Sequence, residues 1–293
     1  MAELERRPLR KSAVTVSVLR VRSTDSQVAS GIKSSAVVIG EEPLEIRVVD
    51  VIGESRQIAI TMRTPGNDFE LAVGFLVAEG IIGNPSDLRS VAYCTKPIGV
   101  EQEYNIVTVA LNVVLADDAI RRSQTMSSSC GICGTTTLDA IELALPVHLQ
   151  VSDAQPLATM TVEAFVALPE RLRSAQTLFD RTGGVHAAGL YSFDGVQLVV
   201  REDVGRHNAV DKCIGWATLA KRSLPGDTAL FVSGRISFEI VQKAAMSGIG
   251  LLGGVSAPTS LAIDAADRFG MTLAGFVRNG QATIYSHSDR LKC

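Results

Sequence analysis

Hydrophobic and polar positions follow two different patterns along the chain. Short runs rich in β-branched residues predict strands, and an apolar residue at every third or fourth position predicts helices. In the first half, strands are expected over residues 36–39, 44–49, 57–62, 90–93 and 104–111. The turn Thr64-Pro65-Gly66-Asn67 precedes a predicted helix that Asn67 or Asp68 caps. The first half is therefore expected to be mainly β.

The second half predicts alternating helices and strands. An amphipathic helix is expected over residues 162–181, with Pro169 marking a kink or restart. A hairpin over residues 186–200 turns at Asp194-Gly195. Helices and strands then alternate over residues 207–221, 229–232, 238–247, 251–255, 260–269, 271–277 and 282–285. This alternation predicts a mixed α/β unit with a partly parallel sheet.

Three regions follow from these patterns. Residues 1–33 are expected to form a basic, flexible arm, because Met1–Arg22 carries six Lys or Arg and two Glu, a net charge of +4. An alternative is that the arm docks on an acidic partner. Residues 34–150 are expected to form a smaller, mainly β domain, and residues 151–293 an α/β domain, with a soft boundary near residues 146–160.

Composition excludes several classes of protein. The 293 residues are 46% hydrophobic and carry a net charge of -3, which argues against a disordered chain and against a nucleic-acid binder. Five cysteines, an odd number in a long chain, do not indicate a secreted disulfide framework. The longest uncharged stretch, residues 244–263, contains four glycines and Pro258 and predicts a helix end, a buried strand and a turn. With no secretory signal recognised, we expect a cytoplasmic protein without membrane contact.

The strongest chemical signal is the pair Cys130 and Cys133, two residues apart. The pair follows a serine-rich stretch and precedes a predicted helix over residues 135–145. Unpaired N–H groups at a helix start stabilise a thiolate, which is the reactive form of cysteine. From the residues alone, four interpretations remain open: a zinc site, a dithiol redox site, a persulfide-carrying sulfur-transfer site and a structurally incidental pair. A zinc deaminase is excluded because the pair is not preceded by proline and Ala188 stands where the catalytic glutamate belongs.

Polar residues also cluster between predicted strands and helices in the second half. Residues 201–208 read Arg-Glu-Asp-Val-Gly-Arg-His-Asn, and Ser233-Gly234-Arg235 forms a second such segment. Ligands bind at strand ends in α/β sheets, so Arg206, His207 and Arg235 are candidates to hold a phosphate or nucleotide. Asp203 is expected to cap the following helix or to orient His207. The alternative is that these are ordinary surface loops, and that His186, in Gly183-Gly184-Val185-His186, is structural.

Several of these segments together resemble the FdhD family. They are Cys130-Gly-Ile-Cys-Gly, Gly183-Gly-Val-His-Ala-Ala, the run from Arg201 to Lys212, the run from Ser233 to Lys243, Arg63-Thr-Pro-Gly-Asn-Asp-Phe-Glu-Leu-Ala-Val-Gly-Phe-Leu and Val255-Ser-Ala-Pro-Thr-Ser-Leu-Ala. The resemblance extends from about residue 40 to the C-terminus. Because several long motifs occur in the right order, it is far more specific than a lone Cys-x-x-Cys.

The resemblance implies a function. FdhD proteins are accessory sulfurtransferases that receive persulfide sulfur from a cysteine desulfurase. They pass it to the molybdenum or tungsten bis(guanine dinucleotide) cofactor before the cofactor enters the formate dehydrogenase catalytic subunit. The resemblance also implies a cytidine-deaminase-like C-terminal domain without zinc, and a homodimer.

Site residues are carried over at the matching positions only. Cys130 matches the persulfide-bearing cysteine and Cys133 its partner. The cofactor-binding segment corresponds to Phe276, Val277, Arg278, Asn279, Gly280 and Gln281, although Phe276 and Val277 also fit an ordinary buried strand. Two other functions stay open, namely a cofactor-binding chaperone without sulfur chemistry and a zinc-stabilised interaction module.

Overall fold

A computed structural model describes residues 11–21, 31–94, 104–115, 145, 158–222, 224 and 227–292. The described residues of the first half form a four-stranded sheet, a separate two-stranded sheet, one α-helix and a short 3-10 helix over Pro85–Asp87. Its elements are β1 (Ala13–Arg20), β2 (Ile32–Ile39), β3 (Glu42–Val49), β4 (Ser55–Arg63), α1 (Asp68–Ala78), β5 (Leu88–Tyr93) and β6 (Ile106–Leu111). The sheet order is β4-β3-β6-β5, and only β3 and β6 are parallel. Leu44, Ile46 and Val48 alternate along β3 and are fully buried in one core with apolar residues of α1. The mainly β prediction agrees with these elements.

The N-terminal region differs from the predicted flexible arm. Residues 13–20 form β1, which pairs antiparallel with β2 from Ala13 opposite Ile39 to Arg20 opposite Ile32. Strand β1 therefore lies inside the stretch assigned to the arm. Its Val-Thr-Val-Ser-Val sequence has the β-branched residues of a strand, which the emphasis on charge overlooked.

The second half contains a six-stranded mixed sheet with helices. Its elements are β7 (Met160–Thr161), α2 (Val162–Val166), α3 (Leu168–Ser174), α4 (Thr177–Thr182), β8 (His186–Ser192), β9 (Gln197–Asp203), α5 (Arg206–Leu219), β10 (Thr228–Val232), α6 (Phe238–Met246), β11 (Leu251–Gly254), α7 (Ser260–Arg268), β12 (Thr272–Arg278), β13 (Gln281–Ser286) and β14 (Leu291–Lys292). The sheet order is β13-β12-β11-β10-β8-β9. Strands β10, β11 and β12 are parallel, and the remaining neighbours are antiparallel. The predicted α/β alternation and partly parallel sheet agree with this half.

Two local predictions are corrected. The expected helix over residues 162–181 is three short helices, α2 to α4, and Pro169 lies in the first turn of α3. Proline lacks the N–H that a continuous helix would need there, so it restarts the helix. The polar run from Arg201 is not all loop, since residues 201–203 end strand β9 and only Val204 and Gly205 precede α5.

The two halves meet where helices α1 and α5 cross. A Cβ atom built on Gly74 would lie 1.8 Å from the carbonyl oxygen of Asp211, and one on Gly215 would lie 1.8 Å from that of Glu70. Only glycine allows the two backbones to approach so closely. At this crossing the C-terminal end of β4 lies beside the start of α5. Asn208 Nδ2, in α5, donates a hydrogen bond to the carbonyl oxygen of Met62, in β4, at 2.7 Å.

The uncharged stretch over residues 244–263 behaves as its composition predicts. It contains the end of α6, the buried strand β11 and a turn that leads into α7. Among the helices that the structure describes, none has the length and apolar character needed to cross a bilayer.

Candidate functional site

The predicted binding segments of the second half lie along one edge of the six-stranded sheet. Strands β9 to β12 end there, and β8, which runs the opposite way, begins there with His186. The edge therefore carries Gly183–His186, Gly205–His207, Ser233–Arg235 and Phe276–Gln281. With strands about 4.8 Å apart, the four intervals from β9 to β12 span roughly 19 Å. The structure thus brings these four segments to one elongated surface.

Arg206 begins helix α5, which follows β9 at one end of this surface. Its Nε atom is buried and finds no hydrogen-bond partner in the described part of the chain. A buried donor without a partner is costly, and a bound anion would satisfy it. A Cβ atom on Gly234 would lie 3.2 Å from His186 Nδ1 and 3.9 Å from Arg206 Cδ, so Gly234 allows these side chains to pack against its loop.

His207, the next residue, is neutral at pH 7. Burial and the charge of Arg206 lower the pKa of His207 to about 4. Its Nε2 atom lies 3.2 Å from Ser237 Oγ and 3.7 Å from Glu239 Oε2. Burial and the charge of Arg206 also lower the pKa of His186. His207 can therefore form hydrogen bonds at this surface, but it brings no positive charge for a phosphate.

Ser237 and Glu239 were not predicted as site residues. Burial raises the pKa of Glu239, but the hydrogen bond from Ser237 and nearby positive charges outweigh it and the net pKa is lowered. Both residues lie within the quoted run from Ser233 to Lys243, at the start of α6. In the sequence, Ser237 and Glu239 lie just before and just after the start of the predicted helix over residues 238–247, and this was the available signal for a site there. The sequence did not show that His207 contacts them.

The second predicted segment provides an exposed cation. Ser233 is held to strand β8, since its hydroxyl accepts from Ala187 N and its N–H donates to Ala187 O, both at 2.9 Å. Arg235 is exposed, and no described residue forms a hydrogen bond or ion pair with it. Arg206 and Arg235 are thus two guanidinium groups available to an anionic ligand, just after the ends of β9 and β10, which lie on either side of β8 in the sheet.

The charged residues Arg201 and Glu202, near the end of β9, connect this strand to two helices. Arg201 Nη2 donates to Glu70 at 2.7 Å, and Glu202 accepts from the N–H groups of Leu178 and Phe179 at 2.8 Å each. These residues join β9 to α1 and to the start of α4.

Asp203 does not orient His207, so that expectation is wrong. It is fully buried and pairs with Lys212 Nζ at 2.6 Å. It also accepts from the N–H groups of Gly205 at 2.9 Å and Thr64 at 3.1 Å. Asp203 fixes the backbone that leads into α5.

The segment Phe276–Gln281 forms a bulge and a tight turn between β12 and β13. Asn279 and Gly280 have φ values of 53° and 70°, as in a two-residue hairpin turn. Phe276 has a φ of 51° and is 39% exposed, whereas Val277 is fully buried. The guanidinium of Arg278 lies 5.7 Å from the centroid of the Phe276 ring. An ordinary buried strand therefore accounts for Val277 but not for Phe276, whose left-handed backbone is of the strained kind that clusters at functional sites.

The described cysteines differ sharply in environment. Cys213 is fully buried in α5, and burial raises the pKa of its thiol to about 12. Its Sγ donates to the carbonyl of Ala188 at 3.3 Å, so Cys213 is neither a thiolate nor placed to ligate a metal. Cys94 is exposed. Cys130 and Cys133 lie outside the described residues. Among the residues that the structure describes, no group of three or more side chains is placed to bind a metal ion.

A large cleft opens beside this surface, between helices α3 and α4 and the sheet edge. Its volume is about 1120 Å³, and its walls include Gln176, Phe179, Gly184, His186 and Ser233. One wall comes from the predicted segments Gly183–His186 and Ser233–Arg235, whereas α3 and α4, which form the other wall, carry no recognisable binding pattern. His186 and Ser233 place the cleft next to Arg206.

These features define an α/β protein with an elongated, cation-bearing surface at strand ends. The profile of the FdhD/NarQ family matches residues 39–292, and the chain belongs to that family. It is 47% identical over 257 residues to the sulfur carrier protein FdhD of Streptomyces avermitilis, covering 86% of this chain and 88% of that protein. It is 45% identical over 278 residues to the sulfur carrier protein FdhD of Mycolicibacterium paratuberculosis, covering 93% and 98%.

The fold has a solved counterpart. A crystal structure from Desulfotalea psychrophila, described as a formate dehydrogenase accessory protein, superposes with a TM-score of 0.69 at 22% identity and covers 96% of this chain and 99% of that one. The FdhD resemblance inferred from the motifs is thus confirmed. The family is one of sulfur carriers linked to formate dehydrogenase accessory function.

Proposed function

We propose that this protein accepts a sulfur atom as a persulfide on Cys130 and transfers it to the molybdenum bis(molybdopterin guanine dinucleotide) cofactor. A cysteine desulfurase is the donor, and a formate dehydrogenase catalytic subunit receives the sulfurated cofactor. The proposal includes a cytoplasmic homodimer and a cytidine-deaminase-like C-terminal domain. Sulfur-carrier relatives of about 45% identity support the sulfur chemistry.

One structural observation supports an anionic acceptor. Arg206 has a buried Nε atom that no described residue satisfies, and the exposed Arg235 lies on the same sheet edge, where four sequence motifs of the family converge. Guanidinium groups bind phosphate oxygens with two parallel hydrogen bonds. The diphosphates of a guanine dinucleotide fit this pair, and Phe276–Gln281 supplies further contacts along the same edge.

The proposed sulfur transfer has two steps. The thiolate of Cys130 attacks the outer sulfur of the desulfurase persulfide, so the new S–S bond forms as the desulfurase cysteine leaves as a thiolate. Cys133 then attacks Sγ of Cys130, which releases the outer sulfur as hydrosulfide to the acceptor and leaves a Cys130–Cys133 disulfide. A thiol reductant supplies the two electrons that restore both cysteines.

Intact mass tests the first step. The wild-type protein and the Cys130→Ala, Cys133→Ala and Cys94→Ala variants are incubated with a cysteine desulfurase and cysteine. One added sulfur atom, removed by reductant and missing only in Cys130→Ala, is expected. No added sulfur on any form, with the desulfurase active on another acceptor, would contradict the proposal.

The chaperone alternative makes the opposite prediction for a double variant. A protein that only delivers the cofactor would still support an active formate dehydrogenase with serine at positions 130 and 133. We expect the double variant to leave the dehydrogenase inactive while it retains guanine-nucleotide binding.

A further inference from the structure

A second cavity lies beyond the end of strand β9, and the proposed function leaves it unused. Its volume is about 530 Å³, which falls within the range of about 300–1000 Å³ that ligand sites occupy. Its walls are formed by residues 11–13, Arg63, residues 65–68, Tyr93, Tyr104 and Arg181. It shares none of these residues with the larger cleft beside Arg206, so the two cavities are separate.

The acidic residue in the wall of this cavity is already neutralised. Among the described residues that line it, Asp68 alone carries a carboxylate, and Arg63 donates to both of its oxygens at 3.0 and 2.7 Å. The Nη1 atom of Arg63 also lies 3.4 Å from Oε2 of Glu42. Arg63 is therefore a buried structural cation that two carboxylates occupy, and a ligand must find its partners elsewhere.

Two other cations of the wall are available to a ligand. Lys11 and Arg181 are exposed, and no described residue forms a hydrogen bond or ion pair with either of them. Their backbones are nevertheless anchored. The carbonyl oxygen of Ser12 accepts from Gly40 N at 2.8 Å, and Arg181 lies in helix α4, whose first N–H groups donate to Glu202. Two anchored cations at one cavity favour an anionic ligand.

Aromatic rings form another part of the wall. The centroids of the Tyr93 and Tyr104 rings are 5.2 Å apart in an edge-to-face arrangement, and the Phe69 ring lies 4.7 Å from that of Tyr93. Tyr104 has a φ of 50°, which a bulky residue rarely adopts. Tyrosine and arginine are the side chains that most often dominate the energy of protein interfaces. The wall therefore suits a peptide that carries both an acidic and an apolar side chain.

The basic region at the N-terminus leads into this cavity. Met1–Arg22 has a net charge of +4, and four of its six Lys or Arg lie within residues 6–11. The last of these four is Lys11, which lines the cavity. A series of positive charges that ends at a cationic cavity complements a polypeptide with several carboxylates better than it complements one small anion.

The cavity lies next to the sheet edge that we propose for the acceptor, without overlapping it. Thr64, which precedes Pro65 of the wall, accepts from Val204 N at 3.0 Å through its hydroxyl. Val204 and Gly205 in turn precede Arg206 at the start of α5. A protein bound at the cavity thus leaves the acceptor edge open and still comes close to it. A sulfur carrier needs this arrangement for its donor.

We propose that this cavity docks an acidic segment of the sulfur donor. Carboxylates of the segment bind Lys11 and Arg181, and an apolar side chain packs against Tyr93 and Tyr104. The inference rests on the proposed function, which supplies the donor, a cysteine desulfurase. It assigns the positive charge of the N-terminal region to the recognition of a partner protein.

Direct binding of the desulfurase to the purified full chain tests the inference. All proteins carry Cys130→Ala, so that docking is measured without sulfur transfer. The charge reversals are Lys11→Glu and Arg181→Glu. The matched control is Arg222→Glu, an exposed arginine beyond the far end of α5, a helix of 14 residues that is about 21 Å long.

We expect each charge reversal at the cavity to weaken binding about tenfold at low salt and to reduce its dependence on salt, because the lost attraction is electrostatic. Arg222→Glu should bind as the unreversed protein does. Arg181→Lys keeps the positive charge and should retain most of the affinity, which excludes misfolding as the cause of the loss in Arg181→Glu.

Competition identifies the chemistry of the ligand. A short oligo-glutamate peptide should displace the desulfurase, whereas an oligo-lysine peptide and inorganic phosphate at the same concentration should not. Displacement by phosphate to the same extent would mean that the cavity is a site for small anions, and it would overturn the inference.

Three further results would overturn it. They are unchanged binding in both charge reversals, an equal loss in Arg222→Glu, and a desulfurase that does not bind even without a charge reversal. A formate dehydrogenase subunit that depends on Lys11 and Arg181, with a desulfurase that does not, would also contradict the assignment to the donor.

Failure of the inference can be told apart from failure of the proposed function. Sulfur loading of Cys130 at the wild-type rate in Lys11→Glu and Arg181→Glu, each with Cys130 intact, would contradict the docking site alone. Docking that depends on these two cations, without any sulfur added to Cys130, would contradict the proposed function and support the docking site.

Discussion

The Nε2 atom of His207 faces both the hydroxyl of Ser237 and the carboxylate of Glu239, at 3.2 Å from Oγ and 3.7 Å from Oε2. Although a carboxylate is near, burial and the charge of Arg206 keep the pKa of His207 low, at about 4. The histidine next to the proposed phosphate site is therefore a neutral hydrogen-bonding group, and the positive charge comes from arginine.

This relationship predicts how stability depends on pH. An unfolded chain binds a proton on His207 below pH 6.5, whereas the folded protein binds it only near pH 4. The free energy of unfolding should therefore decrease as the pH falls from 6.5 towards 4. Because a third of the side chain is exposed, we expect a loss of about 1–2 kcal/mol after allowing for solvent screening.

Urea unfolding at several pH values from 4 to 7.5 measures this loss. The His207→Asn variant should lose less stability on acidification than the wild type. If His207→Asn and the wild type lose the same amount, the low pKa of His207 is not what sets the acid sensitivity.

The Arg206→Ala variant should bind the acceptor more weakly but still accept sulfur on Cys130. Removing a guanidinium that binds a phosphate is expected to weaken GDP binding by about tenfold or more, since hydrogen bonds to charged groups contribute about 1.5–3 kcal/mol. Persulfide formation on Cys130 should be unchanged. Arg89→Ala, on exposed strand β5, serves as the control. Wild-type affinity for GDP in Arg206→Ala would show that Arg206 does not bind the acceptor.

The buried ion pair of Lys212 and Asp203 should be essential for folding. Lys212→Met leaves the Asp203 carboxylate buried without its cation, and we expect a loss of about 3–5 kcal/mol. Adding Asp203→Asn should recover part of that loss, because the buried charge is then gone. Lys33→Met, on the exposed face of β2, should unfold at the wild-type urea concentration. Equal stability of Lys212→Met and the wild type would mean that the pair contributes nothing.

The crossing of α1 and α5 should tolerate no side chain at Gly74. A Cβ atom there would overlap the carbonyl oxygen of Asp211, so Gly74→Ala must push the helices apart. We expect a loss of about 3 kcal/mol by urea unfolding, at the upper end for overpacking. Gly83→Ala is the control, since its nearest non-neighbour atom would be 3.7 Å away, and it should change stability by less than about 0.5 kcal/mol. Comparable stability of the two variants would argue against the close crossing.

Much of the fold could be predicted from local patterns. The strands around residues 44–49 and 229–232, the hairpin at Asp194-Gly195 and the restart at Pro169 all depend on neighbouring residues, and they agree with the structure. The strand over Ala13–Arg20 was missed because the prediction for this region rested on its positive charge and overlooked its β-branched residues.

For the site, sequence identified the segments and their chemistry. Arginine and histidine beside glycine at predicted strand ends singled out Arg206, His207 and Arg235 as candidates for anion binding. The family resemblance alone implied Phe276–Gln281. Sequence also singled out Cys130 and Cys133, whose assigned roles remain predictions. The cytidine-deaminase-like fold, the homodimer and the identity of the donor and acceptor likewise remain predictions.

Tertiary structure alone decided what each polar residue does. Asp203 pairs with Lys212 rather than with His207, and it also accepts from Thr64, which lies 139 residues away in the sequence. Glu202 caps α4, and burial keeps His207 neutral. These outcomes depend on which groups the packing brings together. Local pattern determines which elements form, whereas long-range packing determines which polar groups are left with a free hydrogen-bonding capacity.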